Sequence, residues 1–76
     1  MNTTSHFPIR AYTKKELALM YFPDASSPRT AVNHLMAWVN VTPEILDELQ
    51  QTGYRKEQKY FTPRQVRALV EFLGEP

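Results

Sequence analysis

The chain has 76 residues, a formal net charge of +1 and no cysteine, so it has room for one domain held by packing alone, without disulfides or thiolate metal sites. Its two histidines, His6 and His34, are too few and too far apart for a zinc centre, and no metal or cofactor is expected. No apolar run is long enough to cross a bilayer, and residues 1–10 lack the basic and apolar regions of a secretion signal, so a cytoplasmic protein without membrane contact is expected.

Residues 1–8 are polar, lack periodicity and end at a proline, and are read as a flexible arm before a single domain over 9–76. Thr13 followed by Glu16 forms a capping box, and helix one is expected over 14–21. Leu17, Met20 and Tyr21 share one face at i, i+3 and i+4, and Tyr12 is placed to close over Leu17 as a hydrophobic staple. The pair Phe22-Pro23 ends that helix, because the residue before a proline is pushed out of the α region.

A hydroxyl residue stands before proline at Ser27-Pro28, Thr42-Pro43 and Thr62-Pro63. A side-chain oxygen at the N-cap accepts from the unpaired amides of a first turn, and proline's fixed φ suits the next position, so each pair predicts a helix start. Helix two is expected over 28–39, with Val32, Leu35, Met36 and Val39 inward and Trp38 as a core anchor. Its opposite face is Arg29, Thr30, Asn33, His34 and Ala37. Helix three, over 43–51, buries Ile45, Leu46 and Leu49, presents Glu44, Asp47 and Glu48, and stops at Gly53.

Residues 54–61 have apolar ends and a charged middle, and form either a short hairpin turning near Glu57 or an extended loop. Helix four follows over 63–73, capped by Thr62 and Gln65, stapled by Phe61 on Val66 and stopped at Gly74. The fold class is therefore all-α: a small four-helix, helix-turn-helix domain, with residues 54–61 as the place for a β-hairpin wing between helices three and four.

Catalysis is not expected. Ser5, Ser26 and Ser27 are explained by the arm or by capping, and the helix-three carboxylates by a solvated face near a helix N-terminus. Binding fits better, because helix one, a short turn and helix two have the proportions of a unit whose second helix enters the major groove. Arg29 suits guanine, Asn33 suits adenine, and Thr30 can meet a phosphate or a thymine methyl, with His34 on their flank. Five bases (Arg55, Lys56, Lys59, Arg64 and Arg67) against one acid, Glu57, occupy 55–67. Of these Arg55, Lys56 and Lys59, with Lys14 and Lys15, are the candidates for the phosphate backbone. The alternative is a protein-interaction module using the acidic helix over 43–51, with no nucleic acid. A monomer or weak dimer is expected in either case.

The run Thr13-Lys14-Lys15-Glu16-Leu17-Ala18 resembles the T-x-x-E-L-A opening of winged helix-turn-helix domains of the mercury-resistance-regulator (MerR) and phage-excisionase type. Phe61-Thr62 with Val66, Leu69 and Phe72-Leu73 is similar to their closing helix. That resemblance implies transcription regulation or an excisionase-like role, with helix two in the major groove and Arg55, Lys56 and Lys59 on a wing against the backbone. Helix three has no counterpart there. A broader likeness, carried by Ile9-Arg10, Tyr12, Lys14, Glu16-Leu17-Ala18, Tyr21-Phe22-Pro23 and Gly74-Glu75-Pro76, is to an uncharacterised family of short bacterial proteins.

Overall fold

The computed structural model describes residues 7–76. The elements in chain order are β1 (Tyr12–Thr13), α1 (Lys14–Tyr21), α2 (Pro28–Asn40), α3 (Pro43–Gln51), β2 (Tyr60–Phe61) and α4 (Pro63–Leu73). The all-α class and the four helices agree with the sequence reading, and α2 runs one residue past its expected end. The arm expected over 1–8 lies mostly outside the described residues. Of its last two members, Phe7 stacks on Tyr12 with ring centroids 5.3 Å apart, and the Pro8 carbonyl accepts from the Tyr12 hydroxyl at 2.8 Å.

The caps show why the helices start where they do. Thr13 Oγ1 accepts from the Glu16 amide at 3.0 Å, and Glu16 Oε1 accepts from the Thr13 amide at 2.9 Å, which closes a capping box. That bond from the Thr13 backbone holds the Glu16 carboxyl below its ordinary pKa, with Arg10 adding a smaller pull. Thr62 and Gln65 repeat the arrangement on α4, and Ser27 Oγ accepts from the Thr30 amide at 3.1 Å.

Thr42 departs from the expected pattern. Its side chain makes no cap to α3 and instead donates to the Trp38 carbonyl at 2.8 Å, satisfying an end group of the helix it follows rather than the one it precedes. At the far end of α3, Gly53 takes φ +75°. The Gly53 amide reaches the Gln50 carbonyl at 3.2 Å and the Tyr54 amide reaches that of Leu49 at 2.9 Å. This pair of bonds is the Schellman closure that a left-handed residue permits.

The two strands pair with each other, antiparallel, with Tyr12 opposite Phe61 and Thr13 opposite Tyr60. Residues 54–61 therefore do not fold back on themselves as a hairpin. A turn does stand near Glu57, closed by the Gln58 amide on the Arg55 carbonyl at 3.0 Å, but the partner of β2 is the start of the domain. The extension continues in the bond from the Lys14 amide to the Lys59 carbonyl, 2.9 Å.

The core is Tyr12, Leu17, Ala18, Ala31, Leu35, Val39, Ile45, Leu49, Phe61, Val66 and Leu69. Helix α1 packs on α2, α3 packs on α4, and α2 meets α3. Three expected core residues are turned outward. Met20 is 42% exposed, because the inward face of α1 is centred between Leu17 and Ala18, both fully buried, and not between Leu17 and Met20. Leu46 is 41% exposed, since Ile45 and Leu49 alone meet the core across α3. Trp38, 43% exposed, is a rim residue: its ring meets the edges of Phe22 at 4.7 Å and Tyr21 at 6.3 Å, and its other side is open.

Candidate nucleic-acid interface

On α2, Arg29, Asn33 and Asn40 are exposed and, at 3.6 residues per turn, lie within about 40° of one another around the helix. The half-buried Met36 sits in the same stripe, beside Val32. Asn40 was missed because the helix was expected to end at residue 39, although its spacing of seven from Asn33 was a signal for it.

The stripe borders two hollows. One, of about 630 Å³, is lined by Lys14, Val32, Asn33, Met36, Asn40, Tyr54 and Lys56. The other, of about 400 Å³, is lined by Thr13, Lys14, Lys15, Val32, Gln58 and Lys59. They share Lys14 and Val32, so the first turn of α1, the 55–59 loop and the outer side of α2 enclose one trough with an apolar floor and a lysine rim. This brings together four of the five expected phosphate contacts (Lys14, Lys15, Lys56 and Lys59) with one of the expected base contacts, Asn33. Arg55 is exposed at the start of the loop and lines neither hollow. The trough could not be read from sequence, since its walls are residues 14–15 and 54–59, far apart in the chain.

The other nominated side chains differ in their commitments. Lys14 is held inward: its Nζ donates to the Lys56 carbonyl at 3.1 Å and stands 4.8 Å from the centre of the Tyr54 ring and 5.9 Å from that of Phe61. An ammonium so engaged ties α1 to the loop and has less to offer a phosphate than Lys15, Lys56 and Lys59, which are exposed. Thr30 Oγ1 is within 3.0 Å of Ser27 Oγ and accepts from Ser26 Oγ at 3.4 Å, so its hydroxyl belongs to the α2 cap. His34 is about 140° around the helix from Arg29. Its ring lies 5.3 Å from that of Phe22, and it lines a separate hollow of about 320 Å³ with Tyr21, Phe22, Pro23, Asp24 and Ala25. The structure does not bring His34 to the lysines.

Two further residues belong to the site's architecture. Tyr54 stacks on Phe61 at 5.7 Å, and among the described residues its hydroxyl is the one buried side-chain polar atom without a hydrogen-bond partner. Gln58 joins the loop to the core through Gln65, at 2.8 Å.

Over residues 8–76 the chain matches the family described as Domain of unknown function (DUF4248), and it belongs to that family. No curated protein and no solved structure matches it.

Proposed function

We propose that this member of the family is a small DNA-binding protein, a transcriptional regulator or excisionase-like factor working in the cytoplasm as a monomer or weak dimer, which reads the major groove with α2. The observation that carries the reading is the shared trough: Asn33 on α2 lines the same hollow as Lys14 and Lys56, and Lys15 and Lys59 line its neighbour. A reading helix beside a basic loop is what duplex recognition requires, with amide and guanidinium groups for base edges and ammonium groups for the flanking phosphates. Arg29 and Asn33 are the base-reading residues in this reading, Asn40 extends their stripe, and Lys15, Lys56 and Lys59 supply the backbone contacts.

The test is titration of the protein against pooled duplexes at low salt, followed by the dependence of affinity on salt. Phosphate contacts release counterions, so affinity should fall steeply as salt rises. An absence of binding at micromolar protein and low salt ends the proposal.

A second reading is a protein-interaction surface on α3. Leu46, 41% exposed, stands on the same helix as the exposed carboxylates Glu44 and Asp47, which suit a basic, amphipathic partner segment. Retention of the chain by such a segment, with no response to duplex DNA, would select this reading over the first.

A further inference from the structure

We infer that Gln65 is the positioning residue of the basic loop at 55–59, holding Lys56 and Lys59 at the rim of the trough from inside the core. Gln65 is the single buried polar residue among those described, 1% exposed, and a buried amide is costly unless its hydrogen-bonding groups are met. Its Oε1 accepts from Gln58 Nε2 at 2.8 Å and from the Thr62 amide at 3.0 Å. Its Nε2 donates to Thr52 Oγ1 at 3.0 Å. Thr52 in turn donates to the last carbonyls of α3, those of Glu48 and Leu49, each at 3.0 Å.

Gln58 carries the link outward. Its second Nε2 hydrogen goes to the Tyr60 carbonyl at 2.6 Å, and its Oε1 accepts from the Arg55 amide at 3.3 Å. One side-chain relay thus joins the end of α3, the cap of α4, β2 and the turn that presents Lys56. A capping box needs only the bond from Gln65 to Thr62. The contacts to Gln58 and Thr52 exceed that need: the first reaches the loop and the second anchors the amide on the end of α3. A loop held this way meets a phosphate backbone with its ordering cost already met during folding.

The part of the inference that concerns phosphates rests on the DNA-binding reading; the part that concerns the loop does not, and two measurements separate them. The variants are Gln65→Leu, which also strips Thr52 and Thr62 of a partner and can unfold the chain, and Gln58→Ala, which cuts the relay at its outer end and leaves the α4 cap intact. Amide hydrogen exchange in Gln65→Leu should be faster by about tenfold or more at Arg55 and Gln58, with Leu35 and Leu69 unchanged as the check that the chain stays folded, and Gln58→Ala should reproduce that local opening at position 58. Unchanged exchange at Arg55 and Gln58 overturns the positioning role.

Duplex affinity of Gln58→Ala should fall, and its salt slope should drop by about 2, the value for two lost phosphate contacts. Adding Lys56→Ala to Gln58→Ala should then cost less than Lys56→Ala does alone, because the two act through one contact. Faster exchange with an unaltered slope overturns the link between the loop and phosphate. If the wild type binds no duplex, the DNA-binding reading fails while the exchange result still decides the positioning role.

Discussion

Tyr12 and Phe61 stand directly opposite each other in the two-residue ladder, and each is the residue immediately before the threonine that caps a helix. The two hydrophobic staples are therefore one structure: the pairing that joins the strands also sets the starts of α1 and α4 against each other. Both rings are buried, and Tyr54, from the loop after α3, stacks on Phe61.

Phe61→Ala should cost about 3–5 kcal/mol, most of the stability expected of so small a domain. Tyr12→Phe keeps the ring and loses only the bond to the Pro8 carbonyl, so it should cost about 1 kcal/mol. Urea unfolding of the two variants checks the ranking, and equal costs would show that the rings do not join the helices.

The three hydroxyl-proline pairs should respond unequally. Thr62→Ala should destabilise by about 1 kcal/mol through the lost cap of α4. Thr42→Ala should leave the first turn of α3 unaffected and loosen the last turn of α2, because its hydroxyl serves the Trp38 carbonyl. Residue-resolved amide exchange locates the effect; faster exchange at the start of α3 with none at the end of α2 is the contrary result.

Under the DNA-binding reading, Lys15→Ala, Lys56→Ala and Lys59→Ala should each lower the salt slope of duplex binding by about 1. Lys14→Ala should instead lower stability by about 0.5–1 kcal/mol, since its ammonium is engaged with the Lys56 carbonyl and the Tyr54 ring. Asn33→Ala should relax base preference at a cost of about 1–3 kcal/mol, whereas His34→Ala, against Phe22 on the other flank, should change neither slope nor preference. Binding titrations across salt with matched duplexes decide each case.

Tyr54→Phe should be neutral or stabilising by up to about 1 kcal/mol, because it removes a buried hydroxyl with no partner and keeps the ring under Lys14. A loss of stability in thermal unfolding would mean that the hydroxyl is satisfied in solution.

Alkaline stability should depend on Tyr21. Burial pushes its hydroxyl from 10.0 up to about 12, with Glu75 adding to the shift, and the hydroxyl donates to the Gly74 carbonyl. Folding therefore favours the neutral form: the contribution is fully present below about pH 10 and is lost as pH rises towards about 12. Tyr21→Phe should remove that part of the alkaline slope, measured by urea unfolding on both sides of pH 10.0. On the acid side the sign reverses. The lowered pKa of Glu16 gives a contribution that is present above the ordinary carboxylate range and lost as pH falls through the folded-state value.

The helices were legible in the chain because their determinants are local. A threonine three residues before a glutamate or glutamine, a proline at the first helical position, a residue before proline at a helix end, and a glycine that can take positive φ act over less than two turns, and they located α1, α3 and α4 at both ends. Which residues a helix buries was less legible. Periodicity marks an apolar stripe but not its centre, and Met20, Trp38 and Leu46 each lie at the edge of a stripe whose middle another element covers.

Local pattern in the chain carries the number and order of the helices, both ends of α1, α3 and α4, the exposed polar face of α2, and the basic bias of 55–67. Packing in three dimensions settles that β2 pairs with residues 12–13 rather than with its own loop, that Lys14 turns inward, that His34 packs on Phe22, and that Gln65 reaches the loop from the core. The strand pairing and the Lys14 contacts join segments distant in the chain. Caps and turns involve neighbours in sequence and leave a residue pattern there, whereas long-range pairing is settled by which burial and hydrogen-bonding arrangement satisfies the whole core at once.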